Sequence, residues 1–332
     1  GAATARGALP ADDWPVYGGN GYGQRYSSLT ALTPQNVDTL KLAWTFHTGD
    51  KQQPNDPNET TAENTPLKIG DLLYLCTKHD HVVALDAATG AKRWEFDPKI
   101  EVSHDDQHLT CRGLAYHDAA AAGSPSAAPD TVVNPVTAPT AASPATSPSV
   151  AEPPVAATPT SAITTSGLCA RRIILPSIDA RLYELDAATG QPCTGFGANG
   201  VVNLAVNMGN LKPGYYMETS PPVVTAHLIV IGGSINDDES VNNPSGVIRA
   251  FDVNDGHLVW SWDMGKSDPN APLAPGEKYT PNPPPAWAPP SVDEQLGLAY
   301  FPTGNQSPDQ LDAGRSPAVL KYSSSVVALD LP

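Results

Sequence analysis

Four stretches of the chain share one alternation of apolar and polar positions. They read VVALDAATGAKRWEFD from Val82, LYELDAATGQPCTGFG from Leu182, IRAFDVNDGHLVWSWD from Ile248 and VVALDLP from Val326. Each full copy runs as an apolar segment, an Asp, a turn that ends in Gly, and a second segment with aromatic residues. This predicts a β-hairpin, because the Gly tolerates the positive φ that such turns need. The Asp is placed to accept hydrogen bonds from the turn backbone. A further relative, LKLAWTFHTGD from Leu40, carries the Trp without the Asp-Gly turn.

Short β-like runs stand before the hairpins: LLYLCT, RRIILPS, HLIVIGG and LAYFPTG, each with a connection rich in Pro, Gly or Asn. A hairpin unit recurring every few tens of residues predicts a β-propeller, in which four-stranded blades bury their faces against neighbours. The recurring Trp44, Trp94 and Trp260 are candidates to fill the gaps between blades. A generic β-sandwich is the alternative, but sandwiches lack this repeat.

Asp118 to Leu168 belongs to no blade. It holds no aromatic residue, no Lys and no Arg, and is mostly Ala, Pro, Ser and Thr. Such a stretch buries too little apolar surface to offset its chain entropy. It is expected to be a disordered or loosely extended insertion at 118–168.

The formal net charge of −16 argues against a nucleic-acid partner, whose phosphates call for a basic surface. No run approaches the roughly 18 apolar residues of a membrane helix. The first residues have no apolar core of the signal-peptide kind, so the chain is expected to be a mature product or to lack an upstream segment. The four cysteines, Cys76, Cys111, Cys169 and Cys193, contain no CxxC pair. An even count permits two disulfides, and four free buried thiols are equally open.

Four loops carry candidate chemistry. HLTCRG holds His108 and Arg112: the Arg fork suits carboxylates, and the His suits a substrate hydroxyl or a proton. GGSINDDES holds Asp237 and Asp238, whose oxygens suit Ca2+ or Mg2+. PPPAWAPP holds Trp287, a stiff apolar plate able to stack on a flat ligand. FPTGNQSPD holds Asn305, whose amide oxygen suits a hard cation. Each has an ordinary alternative: a surface pair, a solvated acidic turn, a core cover, a turn residue. Together they suit a flat, anionic, metal-bound cofactor.

The opening DWPVYGGNGYGQRYSSLTALTPQNVDTLKLAW, the repeats, HLTCRGLAYHD, RRIILPSIDARLYELDAATGQPC and TSPPVV with SGVIRAFD resemble the pyrroloquinoline-quinone (PQQ) dehydrogenases, membrane-bound glucose/quinate/shikimate type. The resemblance covers nearly the whole chain except the insertion. It implies an eight-bladed all-β propeller, with residues 1–332 as a partial propeller domain. It implies PQQ on the channel axis with Ca2+ or Mg2+. It implies oxidation of a sugar or cyclic polyol in the periplasm, with electrons passed to ubiquinone. Motif by motif, it implies that Glu63, Arg112, Thr219, Ser220 and Trp287 hold PQQ. It implies that His108 serves substrate and proton, and that Asp237, Asp238 and Asn305 lie at or beside the metal. Many relatives read Asp-Asn where this chain reads Asp-Asp, so which of the two acids binds metal stays open.

The resemblance also implies that about half the ring is present. The family's downstream catalytic Asp, its Lys to PQQ and its upstream membrane anchor have no counterpart in these 332 residues. A second polypeptide, or a C-terminal half, is expected to complete the propeller, and the inner membrane to be reached through an absent segment. D-Glucose is the favoured substrate. Quinate or shikimate is the alternative, and a non-catalytic scaffold with PQQ-like repeats is the remaining one.

Overall fold

In the computed structural model, which describes residues 13–120, 168–209, 211–237, 240–311 and 313–332, strands form at the short β-like runs and in the hairpin repeats. The first blade contains β1 (Leu67–Ile69), β2 (Leu72–Cys76), β3 (Val82–Asp86) and β4 (Lys92–Phe96), in that order. The second contains β5 (Ala115–Asp118), β6 (Arg171–Ser177), β7 (Arg181–Asp186) and β8 (Val201–Asn203). A two-stranded ribbon pairs β9 (Tyr216–Met217) with β12 (Ser234–Ile235). The third blade contains β10 (Val223–Val224), β11 (Leu228–Ile231), β13 (Ile248–Asp252) and β14 (Leu258–Trp262). The fourth sheet contains β15 (Ser291–Asp293), β16 (Leu298–Pro302) and β17 (Val326–Asp330), with the short helix α1 (Pro317–Tyr322) before β17. All pairings between these strands are antiparallel.

The turn chemistry follows the repeat. Asp86 Oδ1 accepts from Thr89 N at 2.9 Å and Thr89 Oγ1 at 2.8 Å. Asp186 makes the same pair of bonds at 2.9 and 2.8 Å. Gly90 and Gly190 both sit at φ +71°.

The cores lie between the sheets. On β6, Ile173 and Leu175 pack with Leu67, Tyr74 and Val82 of the first blade. Ile174, between them, packs with Ile229, Ile231 and Phe251 of the third. Alternate side chains of one strand therefore enter different cores, which is why the middle strands read as continuous apolar runs. Val230, Ile248 and Ala250 join Ala299, Phe301 and Val327 of the fourth sheet in the same way.

Trp94 lies between the first and second blades, as the repeat suggests, whereas Trp44 lies in no strand and packs on the hairpin turn of the first blade. Trp44 donates to Ala87 O at 3.3 Å, and Trp94 donates to Ala187 O at 3.1 Å. Trp260 packs at the seam of the third and fourth sheets, but its indole N–H is buried without a hydrogen-bond partner among the described residues. The stretch 118–168 joins β5 to β6. Asp118 itself pairs with Arg171 as the last residue of β5, and residues 121–167 lie outside the described ones.

Candidate functional site

The first strand of each of the four larger sheets begins just after a singled-out motif. Glu63 precedes β1, Arg112 precedes β5, Thr219 and Ser220 precede β10, and Trp287 precedes β15. The second strand runs antiparallel to the first, so its end reaches the same edge of the sheet. Asp237 follows β11 and Asn305 follows β16, which puts both at that end. One antiparallel meander thus delivers every candidate loop to one rim.

The rim segments are tied to one another by their backbones. Thr65 N donates to Arg112 O at 2.9 Å, and Arg112 N donates to Thr219 O at 2.9 Å. Gly233 and Ala286 form a bridge with bonds of 3.3 and 3.2 Å. Gly232 beside it needs to be Gly, because a Cβ there would lie 2.1 Å from Ala286 O. Disulfides Cys76–Cys111 and Cys169–Cys193 form, and the first fastens the His108–Arg112 loop to the end of β2.

Arg112 is the centre of the site. Its Nε pairs with Glu63 Oε2 at 2.7 Å, and its Nη1 donates to Thr219 Oγ1 at 2.5 Å. Its guanidinium lies 5.1 Å from the ring centroid of Trp287, within cation–π range. His108 lies beside it, with Nε2 3.4 Å from Glu63 Oε1 and 2.9 Å from Thr61 Oγ1. Its Nδ1 is 3.0 Å from Glu59 Oε1. The structure thus brings Glu63, His108, Arg112, Thr219 and Trp287 into one contact chain. Trp287 is 44% exposed, so a face of the plate is free to meet a ligand.

Ser220 is buried next to Thr219, and its Oγ has no hydrogen-bond partner among the described residues. Thr110 Oγ1 and Asn64 Oδ1, in the same rim segments, are also buried without partners among the described residues. Behind them Glu218 is buried, accepts from Tyr216 Oη at 2.7 Å, and is pushed up to about 8 by burial. Arg249 Nη2 donates to the same Tyr216 Oη at 2.7 Å.

Asp237 Oδ1 accepts from Gln107 Nε2 at 2.8 Å, which joins the acidic loop to the neighbour of His108. Asn305 Oδ1 accepts from Ser324 Oγ at 2.8 Å. The loops of Asp237 and Asn305 meet where Ser307 Oγ donates to Asp237 O at 3.4 Å. Asp238 lies outside the described residues. Among the described residues, a set of three acids and histidines with metal spacing occurs at Asp252, Asp255 and His257, on a hairpin turn away from the rim.

Glu59, Thr61 and Gln107 were not singled out by the sequence. Gln107 stands next to His108, just before the HLTCRG motif, so its neighbour was the only pointer to it. Glu59 lies in an irregular loop some fifty residues earlier, and no local pattern points from it to His108.

The family model of the PQQ glucose/ethanol/alcohol dehydrogenase β-propeller domain matches residues 14–332. The chain belongs to this family. It is 42% identical over 328 residues to the quinoprotein glucose dehydrogenase of Escherichia coli (strain K12), covering 99% of this chain and 37% of that protein. It is 36% identical over 320 residues to the quinate/shikimate dehydrogenase (quinone) of Acinetobacter baylyi (strain ATCC 33305 / BD413 / ADP1), covering 96% and 36%. The crystal structure of quinohemoprotein alcohol dehydrogenase from Comamonas testosteroni superposes with a TM-score of 0.59 at 20% identity, over 96% of this chain and 39% of that one. That likeness shows the propeller fold. The chain thus spans less than two-fifths of the length of these relatives.

The rim fits the group that names the family. PQQ is a planar quinone bearing carboxylates. Arg112 supplies a charged fork, Trp287 a flat face, and Ser220 a buried hydroxyl without a partner among the described residues. A buried polar atom without a partner is costly unless a ligand satisfies it.

Proposed function

We propose that this chain is part of a PQQ-dependent dehydrogenase that oxidises a sugar or cyclic polyol, D-glucose first, and passes the electrons to ubiquinone. The observation that carries the reading is Arg112, set between Glu63, Thr219 and Trp287. Glu63, Arg112, Thr219, Ser220 and Trp287 would hold the cofactor. Bound PQQ would supply the two-electron acceptor that side chains lack. Asp237, with Asp238 and Asn305, would hold Ca2+ or Mg2+, hard cations suited to oxygen donors. His108, braced by Glu59 and Thr61, would serve substrate and proton.

Glucose is favoured over quinate by one feature. In this reading Arg112 serves PQQ, so it does not stand free for a substrate carboxylate as well. The greater identity to the glucose enzyme, 42% against 36%, points the same way. Further blades, from a second polypeptide or a C-terminal half, would complete the ring and bring the catalytic Asp. The enzyme would work in the periplasm, held to the inner membrane by a segment outside these residues.

The test is dye reduction by the purified protein given PQQ and Ca2+ or Mg2+, with glucose and quinate in parallel. Reduction with glucose is the expected result, and reduction with quinate alone would change the substrate. A protein whose tryptophan fluorescence PQQ does not quench, and which reduces dye with neither, would overturn the reading.

A further inference from the structure

The loop from Asp50 to Thr60 has almost no regular structure, yet it delivers Glu59 and Thr61 to His108. Its far end is fixed by Leu109, whose N donates to Glu59 O at 3.0 Å and whose O accepts from Thr61 N at 3.1 Å. Its near end is fixed by one imidazole. His79 Nδ1 bonds Asp50 Oδ1, His79 Nε2 lies 2.8 Å from Asp56 Oδ1, and His79 N donates to Asp50 Oδ2 at 3.1 Å. All three side chains are buried, at 4, 6 and 1% exposure for His79, Asp50 and Asp56.

A neutral imidazole has one N–H and one lone pair. Two carboxylate partners therefore require both ring nitrogens to carry protons; otherwise a lone pair would face a buried carboxylate. The clamp has company. Lys78 Nζ is 3.2 Å from Asp56 Oδ2 and donates to Gln52 Oε1 at 3.1 Å, and Thr60 Oγ1 donates to that Gln52 oxygen at 2.9 Å. His104 Nδ1 lies 3.1 Å from Asp56 O, and Thr77 bonds Asp50. Asp80, buried in the same turn as His79, feels the Asp50 charge.

We propose that His79 is a positioning residue: a doubly held imidazolium that fastens the Asp50–Thr60 loop to the turn between β2 and β3, and so holds Glu59 and Thr61 against His108. The importance of this placement rests on the proposed role of His108. Burial alone would lower the affinity of the His79 ring for its second proton, but the bonds to Asp50 and Asp56 outweigh it and hold the pKa above the ordinary histidine value. The clamp is thus complete at pH below the ordinary histidine pKa of about 6.5, and is lost as pH rises through the higher folded-state value.

Hydrogen exchange of the whole chain reads this without cofactor or substrate, so its failure is distinct from failure of the functional reading. In His79→Gln, peptides covering 56–63 and 104–112 should exchange roughly ten-fold faster, the factor expected when a bond to a charged group is lost. Peptides of β13 and β14 should not change. In the unmodified protein the same two regions should loosen as pH rises above the His79 value, and His79→Gln should lack that step. Asp56→Asn, which keeps the size of the side chain, should loosen the same peptides if His79→Gln folds poorly. Nitrogen chemical shifts should show both His79 ring nitrogens protonated at pH below the ordinary histidine value of about 6.5. Faster exchange confined to 50–56, or a singly protonated His79 ring, would overturn the proposal.

Discussion

Trp94 lies flat against Gly190 of the next blade and donates its indole N–H to Ala187 O at 3.1 Å. A Cβ on Gly190 would come within 2.5 Å of the Trp94 ring. The same arrangement recurs one unit earlier, where a Cβ on Gly90 would come within 2.4 Å of Trp44. The Gly of the repeat therefore does two things at once: it takes the positive φ of the turn and leaves room for the neighbouring Trp.

Gly190→Ala should cost about 2–4 kcal/mol, combining the left-handed backbone penalty with a clash against an aromatic ring. Gly276→Ala is the control, because Gly276 also has positive φ, at +82°, but no atom within 4 Å of a Cβ. It should cost only about 1–2 kcal/mol. Denaturant unfolding of both variants measures the difference. Equal losses would mean that the Trp contact contributes nothing beyond backbone strain.

The repeat made the blades legible because one hairpin phrase encodes turn, strand period and inter-blade contact together. The second copy shows where that ends. It has no Trp after its turn, and the seam to the third blade is filled instead by Phe196 and Val202 against Gly256. The site was legible where its residues share a short motif, as His108 and Arg112 do. Glu59 and His79 were not, because they reach His108 through an irregular loop whose path depends on tertiary hydrogen bonds. The cysteine count permitted pairing, but only the fold brings Cys76 at the end of β2 to Cys111 before β5.

Replacing Cys76 and Cys111 together by Ser should cost about 4 kcal/mol, the closure entropy of a loop with sequence separation 35. It should also loosen the His108–Arg112 loop. Thermal unfolding gives the first effect, and PQQ titration by fluorescence gives the second. A fall in stability with unchanged PQQ affinity would show that the bridge braces the blade and leaves the rim as it was.

Arg112→Lys keeps the charge but loses the fork that serves Glu63 and Thr219 in one plane. PQQ affinity should fall roughly ten- to hundred-fold, the worth of a bond to a charged group. Stability should change little, because the side chain stands at the rim. Quenching of tryptophan fluorescence by PQQ measures the affinity. A variant that binds PQQ as tightly as the parent protein would remove Arg112 from the cofactor site.

Glu218 makes a prediction that needs no ligand. Burial pushes its carboxyl up to about 8, so between the unfolded value of 4.5 and the folded value the native state binds more protons than the unfolded chain. Stability must then fall as pH rises through this window, by at most about 1.4 kcal/mol per pH unit for one group. Glu184, also pushed up to about 8 by burial despite its bond to Arg172, adds the same sign. Glu218→Gln cannot ionise, so it should remove this group's contribution and flatten the slope of stability against pH from 5 to 8. Urea unfolding at several pH values measures that slope. An unchanged slope would mean that Glu218 is ionised in the fold, with Arg249 reaching it through Tyr216 as its counter-charge.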